Sequence, residues 1–269
     1  MFPGEIDEQP VTHLERIGEV FARFGADTQD SGNISYGVQV GPERYFFKTA
    51  GVASDTEPYL DFEARQELLR NAARLAESVL HPAMPTFHGV IESPGGPVLV
   101  YEWREGELLY AAGDQPDDPT SAPQRFKALP VDELVAALDQ LFDLHADLAK
   151  AGWVTGDFYD GALIYNFSER QLTVMDLDSY RPGPYRNDMG RMFGSSRFMA
   201  PEEFSLGAPI DDRTTAFVMA RTALVFLSDG TLDPTACRAI APQYAVLQEA
   251  TTTRFPSYAA FYDAWRAAS

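Results

Sequence analysis

The chain has 269 residues, of which 45% are hydrophobic and 23% are charged, a composition typical of a globular protein with one large domain or two joined lobes. Its formal net charge of −19 would repel nucleic acid and anionic lipid, so neither is expected as a partner. No run of 18 apolar residues predicts a membrane span, and the acidic opening MFPGEIDEQP lacks the apolar core of a secretory signal. Only one cysteine is present, Cys237, which excludes an intramolecular disulfide and a Cys-based zinc site. We therefore expect a cytoplasmic protein, and the scarcity of lysine beside abundant arginine and alanine favours a bacterial source.

The first forty residues predict a helix followed by a strand. Apolar side chains recur at helical spacing from Val11 to Phe24, which predicts a short opening helix over these positions. A turn-rich loop, GADTQDSG, follows at residues 25–32. Two β-prone runs, ISYGVQV and RYFFKTA, then flank the turn residues Gly-Pro-Glu, and this pattern predicts a β-hairpin.

The next sixty residues complete a small sheet. Residues 61–80 predict a helix with Leu68, Ala72, Leu75 and Val79 on one apolar stripe. The runs HGVIES and PVLVYEW, separated by Gly-Gly, predict a second hairpin. Residues 1–103 are therefore expected to form a β-rich lobe with one long helix.

The rest of the chain, residues 104–269, predicts a mainly helical lobe. The segment AAGDQPDDPTSAPQ has the composition of a surface excursion. A strong helix over residues 131–152 precedes two short strands, ALIY and LTVMDL, and two apolar helical segments lie near the end. A β-rich lobe followed by an α-rich lobe predicts an α+β chain with a cleft between the two lobes.

Six motifs, in chain order, resemble those of the protein kinase-like family. They are YFFK, LVYEWREGEL, GDFYDGALIY, VMDLD, GSSRFMAPEEF and RFPSYAAFYDAW. GSSRFMAPEEF is the most specific of them, because it looks like the end of the kinase activation segment. The resemblance covers most of the chain and implies a two-lobed protein kinase-like fold with ATP and Mg²⁺ as cofactors.

The resemblance also implies roles for individual residues. Lys48 matches the phosphate-binding lysine, Asp157 the base that orients the substrate, and Asp176 the magnesium ligand. For the glutamate that pairs with Lys48, Glu67 is preferred to Glu63 because it lies deeper in the helix.

The same resemblance implies positions for adenine and for a structural brace. Tyr101 lies near the gatekeeper position, and the backbones of Glu102 and Arg104 fall where adenine would bind. Within the matched activation segment, Glu202 would pair with Arg254.

Several family residues are replaced. The His-Arg pair before the catalytic Asp is Thr155-Gly156, which predicts no need for phosphorylation of the activation segment. Thr215 replaces the loop-anchoring Asp, and Ala162 replaces the second metal ligand. Asp178 is the first candidate for the missing ligand, because it would lie on the side of Asp176 in an extended backbone. Asp160 is the second candidate.

Further replacements affect the nucleotide. Tyr159 replaces the lysine that steadies the γ-phosphate, and Phe46 replaces the small residue beside adenine. The glycines Gly25 and Gly32 do not form a G-x-G-x-x-G loop. The leading hypothesis is a phosphotransferase that acts on Ser/Thr hydroxyls of a protein substrate, because the segment ending in APE forms the peptide platform in the family. Two alternatives remain, a pseudokinase and a small-molecule kinase of the same fold.

Overall fold

The structure of the protein is a computed structural model that describes residues 2–25, 31–55, 57–110 and 118–268. The chain divides into two units, Met1–Leu80 with Pro85–Arg104, and His81–Met84 with Glu105–Ser269. The sequence placed one boundary between residues 103 and 104. The short segment His81–Met84 joins the second unit because Val174 donates its backbone N–H to the carbonyl of Ala83 at 2.8 Å.

The first unit is a five-stranded antiparallel sheet with two helices. The strand order is β1-β2-β3-β5-β4. The strands are β1 (Glu19–Phe24), β2 (Ile34–Val40), β3 (Glu43–Thr49), β4 (Phe87–Ile91) and β5 (Val98–Glu102). The helices are α1 (Pro10–Ile17) and α2 (Phe62–Ser78). Both predicted hairpins and the long helix are confirmed, and Asp61 caps α2 through a side-chain bond to the Ala64 amide.

The opening helix is shorter than the spacing predicts. It ends at Ile17, and Phe21 and Phe24 lie in β1 instead. Gly18 ends the helix in an extended conformation, where any side chain would collide with the carbonyl of Gln39. The chain can therefore leave the helix and pair at once with β2. Beyond β1, residues 26–30 of the glycine-poor loop lie outside the described residues.

The two faces of the sheet pack differently. Phe47 points into a cluster with Val38 and Val100, which α1 covers through Leu14. The opposite face packs against α2, where Leu99 meets Leu69. Lys48 is opposite Leu99 in the pairing of β3 with β5, and successive residues of a strand face opposite sides. Lys48 and Phe46 therefore share the face that α2 partly covers.

The second unit is mostly helical. Its helices are α3 (Ala122–Lys127), α4 (Val131–Lys150), α5 (Asp212–Ser228), α6 (Ala241–Thr251) and α7 (Tyr258–Ala267). Its short strands are β6 (Glu107–Leu108), β7 (Trp153–Val154), β8 (Leu163–Asn166), β9 (Gln171–Val174), β10 (Arg181–Pro182), β11 (Tyr185–Arg186) and β12 (Pro209–Ile210). The sequence predicted α4, α5 and α7, whereas α3 and α6 were not anticipated. The predicted surface excursion at residues 111–124 lies partly outside the described residues, and its last residues begin α3.

Helix α5 is the centre of the second unit. It is buried almost all round, from Thr214 to Ser228, as expected for a helix that is apolar on every side. Phe142 of α4 contacts the rings of Phe261 and Trp265 of α7, at 5.2 and 5.0 Å between ring centroids. The polar end of Trp265 is satisfied as well, because its Nε1–H donates to Asp139 at 2.7 Å. Across the described ranges, no helix is both long enough and apolar enough to span a membrane.

Candidate active site

The predicted catalytic loop begins directly after β7 and is anchored to α5. The Oγ1 of Thr215 accepts a hydrogen bond from the backbone N–H of Thr155 at 3.2 Å, and the two hydroxyl oxygens are 3.4 Å apart. Both residues are buried. Thr215, which stands where the family resemblance expects an aspartate, therefore holds the loop through an uncharged hydroxyl group.

The two residues after the anchor have special backbone requirements. A side chain at Gly156 would collide with the carbonyl oxygen of Ser179, so only glycine fits between the loop and the neighbouring segment. Asp157 follows with φ of 51°, in the left-handed region that costs a residue with a Cβ about 1–2 kcal/mol. Strain of this kind is concentrated at functional sites. It is consistent with the role predicted for Asp157.

Asp160 lies in a 3-10 turn, Asp160–Ala162, and faces an arginine of the segment that resembles the kinase activation segment. Arg197 donates from Nη1 to Oδ2 of Asp160 at 3.0 Å. The Asp160 side chain is 7% exposed and that of Arg197 is 52% exposed. Burial raises the pKa of Asp160 even though Arg197 lowers it. This ion pair joins the predicted catalytic loop to the segment that contains Arg197.

The segment that carries Asp176 and Asp178 leaves the sheet earlier than expected. Strand β9 ends at Val174, Asp176 is exposed, and Asp178 is buried in a turn. The hydrogen-bonded strand therefore ends before both acids, and the role of Asp178 as a metal ligand stays a prediction. Ala162 supports the segment through its backbone, because its carbonyl accepts the N–H of Met175 at 2.8 Å.

A buried tyrosine–histidine pair holds the other end of this segment. Burial lowers the pKa of His145 to about 4, so the ring is neutral at pH 7. Its Nδ1–H donates to the carbonyl of Leu141 at 2.8 Å, which leaves Nε2 to accept from the Tyr180 hydroxyl at 2.7 Å. Tyr180 lies two residues after Asp178, so this bond fixes the course of the chain beyond both predicted metal ligands.

The donor set fits Mg²⁺ in its chemistry. Asp176, Asp178 and Asp160 supply carboxylate oxygens, the hard ligands that Mg²⁺ prefers. The Oδ1 of Asp160 is buried and makes no hydrogen bond within the described residues. In those same residues no group of three or more His, Cys, Asp or Glu side chains could hold a metal ion. Mg²⁺ does not need such a group, because it is commonly held by one or two carboxylates together with waters and substrate phosphates.

The segment that resembles the end of the kinase activation segment is braced as the sequence predicts. Arg254 donates to both carboxylate oxygens of Glu202, at 3.0 and 2.6 Å, and Thr214 donates to the same carboxylate at 2.7 Å. The bidentate geometry is the strong form of an arginine–carboxylate pair. The predicted pairing of Glu202 with Arg254 is confirmed.

The next residue, Glu203, is a buried acid that the sequence did not single out. Its Oε2 accepts the Ala200 N–H at 2.6 Å. Burial, helped by the charges of Glu202 and Asp157, raises the pKa of Glu203 from 4.5 to about 7. Glu203 therefore titrates near neutral pH and lies within electrostatic range of the predicted base.

In the first unit, Lys48 is buried near the end of β3, and Glu67, the acid predicted to pair with it, lies on the outer side of α2. Glu67 is exposed, whereas Arg65, two residues earlier, is fully buried. Arg65 donates to the carbonyls of Gly32 and Val52, at 2.8 and 3.2 Å, and so ties α2 to two loops. The pairing of Glu67 with Lys48 stays a prediction.

The predicted adenine-binding backbone lies at the end of β5. The N–H of Glu102 donates to the carbonyl of Thr86 at 2.8 Å, and the Glu102 carboxylate lies 3.3 Å from Arg104. The amide donor of Glu102 is thus already used inside the first unit. The role of the two backbones in adenine binding stays a prediction.

An aromatic cluster covers part of the sheet face that Lys48 occupies. Phe46 lies 6.1 Å from the Phe24 ring and 6.4 Å from that of Trp103, and Phe21 meets Trp103 edge-on at 4.9 Å. Gly37 makes this possible, because a Cβ there would lie within 2.8 Å of Phe21 and Trp103. The sequence identified Phe46 as unusual but gave no sign that three other rings join it.

The comparisons with known proteins agree at the level of the fold. No protein-family model matches the sequence, and no curated protein matches it. Among solved structures, the crystal structure of the kinase domain of PknI from Mycobacterium tuberculosis is similar to this chain, with a TM-score of 0.59 and 19% sequence identity. The match covers 94% of this chain and 96% of that one. At this identity the likeness shows the fold alone, and the chain therefore has an α+β protein kinase-like fold with a β-rich first part and a helical second part.

Proposed function

We propose that the protein is an ATP- and Mg²⁺-dependent phosphotransferase that transfers the γ-phosphate to a Ser or Thr hydroxyl of a protein substrate. The observation that carries this proposal is the loop from Thr155 to Ala162. It keeps an aspartate, Asp157, in a strained conformation, and a new partner, Thr215, anchors it. Together these features hold the predicted catalytic loop in a defined conformation, which the orientation of a substrate hydroxyl requires.

The roles of the residues follow from their chemistry. Asp157 accepts a hydrogen bond from the attacking hydroxyl and orients it for in-line transfer. Lys48 holds nucleotide phosphates with its ammonium group, and Asp176 with Asp178 holds the metal. Asp160 is a weaker candidate as a ligand because Arg197 already binds one of its oxygens. Bound Mg²⁺ would neutralise part of the negative charge on the phosphates.

The intact brace at Glu202 supports a protein substrate rather than a small molecule. Arg254 and Thr214 hold the carboxylate of Glu202, and Thr214 also lies within 3.4 Å of the Asp211 amide at the start of α5. A surface held this firmly is suited to docking a polypeptide next to the loop. Turnover of metabolites but of no protein would favour a small-molecule kinase.

A pseudokinase is the second candidate, and the aromatic cluster favours it. Phe46 and Trp103 fill space on the face that carries Lys48, and Ala162 offers only a methyl group where the resemblance expects a ligand. A module that binds a nucleotide weakly, or only docks a partner, would tolerate both features.

Thermal unfolding with ATP, in the presence and absence of Mg²⁺, tests nucleotide binding. Transfer of labelled phosphate to the chain itself and to dephosphorylated casein then tests catalysis. Asp157→Asn should lower transfer by about 100-fold or more. The matched control Asp263→Asn, at an exposed aspartate of α7, should leave it unchanged. No thermal shift would count against both nucleotide-dependent functions, and a shift without Asp157-dependent transfer would favour the pseudokinase.

A further inference from the structure

Three exposed apolar side chains lie between residues 189 and 206, in and around the segment that resembles the end of a kinase activation segment. Leu206 is 73% exposed, Met189 is 44% exposed and Phe204 is 43% exposed. Single exposed apolar residues are common, but a group of them at one place marks an interaction site. We call these three residues, with Arg186 and Arg191, the Leu206 surface.

One buried residue, Asn187, brings the parts of this surface together. Its Nδ2 donates to the carbonyls of Gly190 and Glu202, and its Oδ1 accepts the N–H of Met189 at 3.0 Å. Its backbone carbonyl accepts the N–H of Gly207 at 2.7 Å. Met189 and the turn that carries Leu206 are therefore both bonded to Asn187, Met189 through the side chain and the turn through the backbone carbonyl, so the two loops meet at one residue.

Leu206 is held outward by its turn. Ala208 donates its N–H to the carbonyl of Ser205 at 3.0 Å, and Gly207 has φ of 78°, as in a type II turn with Leu206 at its tip. Arg186 also donates to the Gly207 carbonyl at 2.7 Å. The leucine therefore cannot fold inward without breaking these bonds. Turn tips usually carry polar residues, so the choice of leucine at this position requires another explanation.

The charges beside the apolar residues are positive, in a chain whose formal net charge is −19. Arg186 donates to Gly207, and Arg191 donates to the carbonyl of Gly194 while its guanidinium lies 5.8 Å from the Phe204 ring. These acceptors are neutral, and within the described part of the chain neither arginine forms an ion pair with a carboxylate. Asp188 is the nearby exposed acid, and it lies 3.4 Å from Arg181.

We propose that the Leu206 surface docks an acidic, apolar segment of a partner protein. The apolar side chains of the partner would cover Leu206, Phe204 and Met189, and its carboxylates would pair with Arg186 and Arg191. Local charge complementarity selects this occupant, because Arg186 and Arg191 flank the apolar side chains and within the described residues donate to neutral backbone carbonyls. Docking here does not require phosphotransfer, so the surface can function in an active kinase or in a pseudokinase.

The test uses three fluorescein-labelled peptides of twelve residues and the full chain. In the first peptide Leu and Phe alternate with Asp and Glu, in the second the acids become Asn and Gln, and in the third the apolar residues become Ser. Fluorescence anisotropy should show at least tenfold tighter binding of the first peptide. Equal binding of all three peptides, or of none, would overturn the proposal.

Variants locate the site. Leu206→Ser should weaken binding of the first peptide at least tenfold, whereas Leu80→Ser, at a residue that is 88% exposed in the other unit, should not. Arg186→Glu should also weaken binding tenfold, and Arg186→Lys should restore most of it. Thermal unfolding verifies that each variant is folded. Binding that survives Leu206→Ser in a folded protein, or self-association in sedimentation that Leu206→Ser abolishes, would contradict the assignment.

Discussion

The ion pair between Asp160 and Arg197 yields a quantitative prediction. Replacing Arg197 with Ala removes the guanidinium and leaves a carboxylate that is only 7% exposed. Removing one partner of a fully buried pair costs about 3–5 kcal/mol. Arg197 is half exposed, however, so water already screens the pair, and exposed pairs contribute about 1 kcal/mol or less. We therefore expect Arg197→Ala to lower the free energy of unfolding by about 1–2 kcal/mol at pH 8.

The effect depends on pH with a defined sign. Burial already raises the pKa of Asp160, and loss of Arg197 raises it further. An acid whose pKa is raised in the folded state contributes stability at low pH that is lost as pH rises through the folded pKa. The protonated Asp160 of the variant needs no cation. The difference in stability between the wild type and Arg197→Ala should therefore be smaller at pH 5 than at pH 8.

Thermal unfolding at both pH values measures this difference, with an expected shift of about 2–5 °C in Tm at pH 8. Asp160→Asn is the matched partner variant, because it removes the buried charge while keeping the shape. In the Asp160→Asn background, Arg197→Ala should have little further effect. Equal destabilisation by Arg197→Ala in both backgrounds would refute the reasoning, and so would a penalty that does not change with pH.

Two further predictions concern other buried groups. Glu203 should make the wild type less stable as pH rises from 5 to 8, because its pKa is raised from 4.5 to about 7. By linkage the loss of unfolding free energy is at most about 3 kcal/mol. Urea unfolding of Glu203→Gln should give an unfolding free energy that changes less with pH than that of the wild type. Equal pH dependence in the two proteins would contradict this prediction. Thr215→Val should leave the Thr155 N–H buried without its acceptor and destabilise the loop by about 1–3 kcal/mol. Hydrogen exchange at Thr155 should be faster in Thr215→Val but not in Thr215→Ser, and equal protection in both would exclude the anchor.

Local patterns predicted most of the fold, and they failed where two patterns overlap. Phe21 and Phe24 satisfy helical spacing with the residues before them, but Gly18 interrupts the helix and the side chains of β1 alternate between more and less exposed positions. The sheet pairing with β2 decides this case, and spacing alone does not show it. Nor does the sequence show the hydrogen bond from Tyr180 to His145 of α4, which holds the chain two residues beyond Asp178.

The sequence motifs identified the acidic residues of the candidate site, but not the distant residues that contact its loop. The motifs identified Asp157, Asp160 and Asp176, since each lies in a short recognisable segment. Arg197 is 37 residues from Asp160, and Thr215 is 60 residues from Thr155. Contacts at such separations depend on how the helices pack. The sequence shows that position 215 lacks the expected aspartate. It does not show that the Thr215 hydroxyl accepts a hydrogen bond from the Thr155 amide.

The uncharged anchor at Thr215 also changes the potential behind the catalytic loop. An aspartate there would add a buried negative charge close to Asp157, in a region with low dielectric screening. A threonine holds the same amide through a dipole and adds no net charge. In a chain of net charge −19, this substitution lowers the electrostatic work of bringing any polyanion towards the loop. The hydroxyl anchor therefore holds the predicted catalytic loop without adding to the negative charge of the protein.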